Sequence, residues 1–201
     1  MNHMNEETFT HSDSLAVIQA MINKAKDQFS ENGHLYLVWG WAILVCSIGH
    51  FVLLKFVQSQ YASMIWFLTW LVILYQAYYL WKQGKRTKVR TYTHEIIGWV
   101  WVSFIIMMFL FGFVMGRALG QQYYKYINIG FLVLYGMPTF LSGIILRFKP
   151  LITGGIICWL LAILALFIFH EYHLLLLAAA VIIAWIIPGY RLRARYKQIN
   201  H

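Results

Sequence analysis

IIMMFLFGFVM at residues 105–115 and LLLLAAAVIIAW at 174–185 decide the fold. Neither stretch alternates apolar with polar side chains, as a membrane strand of about 10 residues with one wet face would. Both are continuous apolar runs. A lipid-surrounded segment of that kind must satisfy its backbone N–H and C=O groups internally, and a helix does so. Six runs have the length to cross a hydrocarbon core of about 30 Å, which takes roughly 20 helical residues. They are 35–57, 61–81, 95–116, 126–146, 150–169 and 174–190, the last being short and able to continue into the basic tail. The expected fold is an all-α, polytopic transmembrane helical bundle of six spans. It divides into a cytoplasmic polar segment (1–33), the membrane domain (34–190) and a basic cytoplasmic tail (191–201).

Composition agrees. The 201 residues are 61% hydrophobic and 11% charged, whereas soluble domains carry about a quarter charged residues. A single small core cannot hide that apolar excess, so the lipid bilayer is the expected solvent and first partner. The formal net charge of +9 would suit nucleic acid if it formed one patch, but the cations lie in clusters between apolar runs. No nucleic-acid partner is expected. Cys46 and Cys158 both fall inside apolar runs and read as small buried hydrophobes.

The clusters give an orientation. Lys24, Lys26, Lys82, Lys85, Arg86, Lys88, Arg90, Arg147, Lys149, Arg191, Arg193, Arg195 and Lys197 fall on one side, against Lys55, Arg117 and Lys125 on the other. The positive-inside rule then places both termini in the cytoplasm. Tyr36, Trp39, Trp41, Tyr78, Tyr79 and Trp81 near inner boundaries, and Tyr123, Tyr124 and Tyr126 near an outer one, fit the aromatic belts of a membrane interface. The first 34 residues are polar and contain no secretory h-region. The expected address is a bacterial cytoplasmic (inner) membrane.

Before the first span, Leu15, Ile18, Ile22, Ala25 and Phe29 recur at steps of three and four, which lays them on one face of a helix. Asp13, Lys24, Lys26, Asp27 and Glu31 leave its polar side without a basic excess. Residues 12–31 therefore read as a cytoplasmic amphipathic helix. It packs on its own bundle or docks a cytosolic or membrane protein partner.

The chemistry is sparse. No Asp, Glu, Lys or Arg falls near the middle of a span, which disfavours carboxylate-coupled transport, because intramembrane ionisable groups usually mark ion pathways. P-loop, GxSxG and CxxC signatures are absent, and no catalytic residue is expected. The segment FHEYHL (169–174) holds His170, Glu171 and His173. The two histidines are three apart, so this is not the HExxH helix of a metalloprotease. It reads either as a polar turn between helices or, with His50 from the outer part of the first span, as a zinc-type metal site. No cofactor is otherwise expected. Thr93 reads as an N-cap with Glu95 in the first turn of the third span. Gly112, Gly116 and Gly120 form GxxxGxxxG, the small-residue pattern that admits a neighbouring helix closely. Pro138 interrupts the fourth span. If a solute crosses, the candidate path is Gln76, Asn128, Tyr135, Pro138 and Ser142.

SGIILRFKPLITGGIICWLLAI (142–163), SLAVIQAMINKAK (14–26) and LVWGWAILVCSIGHFVLL (37–54) resemble segments of small, six-helix bacterial integral membrane proteins. The resemblance carries no activity, cofactor or site residue. The expected function is a non-catalytic accessory, scaffold or sensor component of the membrane. One alternative is a transporter or channel for a small neutral solute; a second is a metal- or histidine-dependent activity at the outer face.

Overall fold

The computed structural model describes residues 33–86 and 92–200. The amphipathic stretch 12–31 and the middle of the basic loop lie outside the described residues. The elements are α1 (His34–Lys55), a 3₁₀ segment (Ala62–Phe67) leading into α2 (Leu68–Arg86), α3 (Tyr92–Leu119), α4 (Tyr123–Ile145), α5 (Lys149–Ala165), α6 (His173–Val181) and α7 (Ile187–Asn200). There is no strand among the described residues. Four helical segments are long and apolar enough to cross a membrane: His34–Lys55, Ala62–Gly84, Tyr92–Ile145 and His170–Gln198, with Lys149–Ala165 a shorter apolar helix.

The segment Tyr92–Ile145 is a hairpin. Gly120 adopts φ +54°, a left-handed conformation that costs glycine little, and the chain reverses there. Phe111 of α3 then meets Phe131 of α4, and Phe104 meets Tyr135, at ring-centroid distances of 6.4 and 5.8 Å. This answers the GxxxGxxxG reading. Gly120 makes the turn, a side chain at Gly116 would meet open space, and one at Gly112 would touch only the Tyr123 hydroxyl.

The close helix–helix seam lies elsewhere. On α4, Leu132, Tyr135, Thr139 and Ser142, with Leu146 just past its end, are buried at alternating steps of three and four; on α5, Leu151, Gly155, Cys158, Ala162 and Ala165 do the same. Adding a Cβ at Gly136 would bring it to 2.9 Å from the Gly155 carbonyl oxygen, and one at Gly155 to 2.8 Å from that of Gly136. The two backbones touch, which only small residues permit. Tyr36, Leu37, Gly40, Ile43, Leu44 and Ser47 of α1 and Leu174, Leu177, Ala178 and Val181 of α6 complete the core.

Helix ends depart from expectation for identifiable reasons. The helix in the fifth apolar run ends at Ala165 rather than 169, and its 17 residues leave it shorter than the four span-length segments. Phe167 and Phe169, read as its last turn, are 82% and 81% exposed in the connecting turn. The sixth does not stop near 190. It passes through a π-helical turn at Ile182–Ile186, where the Ile187 N–H reaches back to the Ile182 carbonyl, and continues to Asn200 with Leu192 buried. Pro188 follows at once. A proline ring clashes with the carbonyl four residues back, here Ala184, and the widened turn accommodates it. Thr93 is not an N-cap, because α3 already begins at Tyr92; Glu95 does occupy the first turn. Pro138 sits within α4, which continues through it.

Cations separate by end. Arg195 lies over the Phe148 ring at 6.0 Å, so α7 and the Arg147–Lys149 turn share one end of the bundle. Lys55 and Glu171 meet at the other.

Candidate functional site

The centre of the bundle is an aromatic plug. The π turn aims Trp185 inward, where it is 2% exposed. Its ring packs on Tyr135 at 4.8 Å and on Trp101 at 5.8 Å, and Trp101 meets Tyr36 at 5.6 Å. The Trp185 Nε1–H donates to Thr139 Oγ1 (2.8 Å), and the Thr139 hydroxyl donates to the Tyr135 carbonyl oxygen (2.7 Å). A buried indole N–H needs such an acceptor. The pairing crosses from the α6–α7 rod to α4 and fixes their rotation about one another.

Of the candidate solute path, Tyr135, Pro138 and Ser142 are buried on α4 against this plug. Asn128 is half-buried further along the same helix, toward the Gly120 turn. Gln76 is apart from them on α2, where its Oε1 accepts the Trp39 indole N–H at 2.7 Å. The five are not gathered around one space. The crevice beside Pro138, about 260 Å³, is walled by Val100, Phe104, Met107, Met137 and Leu141, with the Ser103 hydroxyl and the Trp99 indole as its polar-bearing side chains. Such walls suit an acyl chain better than a polar solute. The Ser47 and Ser142 hydroxyls are buried with no hydrogen-bond partner among the described residues.

The histidine and glutamate candidates are dispersed among structural roles. His173 is buried and its Nε2 lies 2.8 Å from the Ala165 oxygen and 3.0 Å from that of Ile168. With its proton on Nε2, the ring shares one donor between the last carbonyl of α5, which also accepts the Ile168 N–H at 3.3 Å, and a carbonyl of the following turn. His50 Nδ1 accepts the Trp66 indole N–H at 3.0 Å, which places the ring proton of the neutral form on Nε2. Glu171 accepts from Lys55 Nζ at 2.6 Å, and His170 is exposed. Among the described residues no group of three or more His, Cys, Asp or Glu side chains comes together to hold a metal. FHEYHL is the turn between α5 and α6.

The least anticipated feature is α2. None of its residues between Leu68 and Gly84 is buried. The half-buried ones, Thr69, Val72, Gln76, Tyr79 and Gln83, recur at steps of three, four, three and four, a narrow seam along one side of the helix. That seam faces α1 through the Trp39–Gln76 bond and the His34 ring, which lies 4.8 Å from that of Tyr79. Trp70, Leu71, Leu74, Tyr78 and Trp81 face outward. The sequence hinted at the seam only through Thr69 and Gln76, seven residues apart among apolar neighbours. No signal in the sequence marked Trp185 beyond the nearby proline.

No family model matches this chain, and neither a curated protein nor a solved structure matches it at a significant level.

Proposed function

We propose that the chain is a non-catalytic accessory, scaffold or sensor component of a bacterial cytoplasmic membrane, with six spans and both termini in the cytoplasm, that binds another membrane protein. The observation that carries the reading is α2, which with the 3₁₀ segment before it makes a span-length apolar stretch (Ala62–Gly84) and is itself attached through one narrow seam with no buried residue from Leu68 to Gly84. A helix in this position adds little to the core of its own bundle and presents an aromatic, apolar face in the plane of the membrane. The amphipathic stripe at residues 12–31 supplies a second contact on the cytoplasmic side. The orientation is supported by the gathering of α7 and the Arg147–Lys149 turn at one end. A neutral-solute path finds less support, because Tyr135 and Trp185 close the centre of the bundle.

In cells, a photo-crosslinking residue at Leu74 is expected to yield a discrete protein adduct, and one at the buried Leu132 none. Removing residues 12–31 is expected to weaken that adduct. Crosslinks at Leu74 to lipid alone would overturn the reading, as would accumulation of a neutral solute by proteoliposomes of the purified chain. Phosphatase fused at the C-terminus should be inactive and a cytoplasmic fluorescent reporter bright; the opposite pattern would overturn the orientation.

A further inference from the structure

We propose that the cavity between the start of α1 and α7 binds a phosphate-bearing anion, either an anionic lipid headgroup or free inorganic phosphate. The cavity, about 250 Å³, is lined by His34, Tyr79, Arg193, Tyr196 and Lys197. That volume suits a phosphate with a small polar group rather than a drug-sized ligand.

Its construction is specific. Gly33, at φ +67°, sits so close to α7 that a Cβ there would come within 2.6 Å of the Gly189 carbonyl oxygen and 3.4 Å of the Arg193 backbone nitrogen. This contact sets His34 beside the basic face of α7. From α2, the Tyr79 ring of the cavity wall stands 4.8 Å from the imidazole, and behind it the Tyr75 hydroxyl holds His34 Nε2 at 2.8 Å. His34, Tyr79 and Tyr196 thus border a space that also carries Arg193 and Lys197, four residues apart on one helix face.

Like charges at that spacing repel, and an anion between them relieves the repulsion. A guanidinium fork, an ammonium and phenolic or imidazole donors are the groups that recognise phosphate oxygens. The described residues include two carboxylates, Glu95 and Glu171. Neither lines the cavity, and Glu171 is paired with Lys55 at the other end of the bundle. Basic pockets between spans on the cytoplasmic side are where anionic headgroups bind, and the proposed orientation puts this one there.

Native mass spectrometry of the full chain in detergent tests the site, using phosphatidylglycerol, phosphatidylcholine of the same acyl chains, and inorganic phosphate as separate probes. The wild type should retain phosphatidylglycerol in preference to phosphatidylcholine. Arg193→Gln and Lys197→Gln should each weaken retention about fivefold, while Arg191→Gln, outside the cavity, changes it little. Preferential retention of inorganic phosphate with the same two losses supports the site and assigns the soluble source. Equal retention of both lipids with no phosphate bound overturns the proposal, as does unchanged binding in both glutamine variants. Should either variant fail to fold, the charge-preserving Arg193→Lys and Lys197→Arg proteins carry the test. They should keep the preference, and its absence would count against the site.

Discussion

Trp185 and Thr139, on elements 46 residues apart in sequence, are joined by an indole–hydroxyl hydrogen bond of 2.8 Å at the centre of the bundle. The bond converts two apolar helices that pack in many rotations into a pair with one. Replacing Thr139 by valine keeps the volume and leaves the indole N–H buried without its acceptor. Stability is expected to fall by about 1–3 kcal/mol, read by denaturation in detergent. Adding Trp185→Phe should make the second change cheaper than it is alone, because both partners are then apolar; additive losses would show that the bond carries no coupling.

The two histidines of FHEYHL should behave differently. His173→Phe removes the donor that caps the Ala165 and Ile168 carbonyls and is expected to destabilise the chain by about 1–3 kcal/mol. His170→Ala, at an exposed position, should change stability by no more than about 0.5 kcal/mol. Loss of bound zinc in both variants, measured by elemental analysis, would favour a metal site instead.

Arg147 occupies a left-handed position, φ +50°, where α4 ends. The Phe148 N–H bonds the Gly143 carbonyl and the Arg147 N–H that of Ile144, a Schellman arrangement in which glycine is the usual residue. Arg147→Gly relieves the crowding between Cβ and the carbonyl and should raise stability by about 1 kcal/mol. In cells the same variant removes one cation from the end we propose to be cytoplasmic, and reporter fusions should show an unchanged orientation, because the bias is summed over many residues.

The glycines divide sharply. Gly155→Leu drives a side chain into the α4 backbone and should destabilise by at least about 1–3 kcal/mol, or prevent accumulation of folded protein. Gly116→Leu meets open space in the chain itself and should be tolerated in a thermal unfolding assay. Loss of a discrete crosslinked species in Gly116→Leu, with folding intact, would place a partner helix on that face.

The sequence by itself determined the class of the protein and much of its layout. Apolar runs such as 105–115 admit helix and exclude an amphipathic strand, because lipid offers no partner for an open backbone, and that argument needs no neighbour. Most helix positions followed to within a few residues. Tertiary structure decided what depends on who faces whom. Gly112 and Gly116 carry the four-residue spacing that invites a helix, yet the close backbone approach falls at Gly136 and Gly155, on two helices with no shared motif, since a glycine is useful only where a backbone happens to arrive. His50, His170, Glu171 and His173 share an end of the molecule, as the topology required, but side-chain direction sends them to an indole, to solvent, to Lys55 and to the end of α5. The cavity at His34 joins residues more than 150 positions apart, and no local spacing can encode such a meeting. It exists because Gly33 lets α1 start against α7.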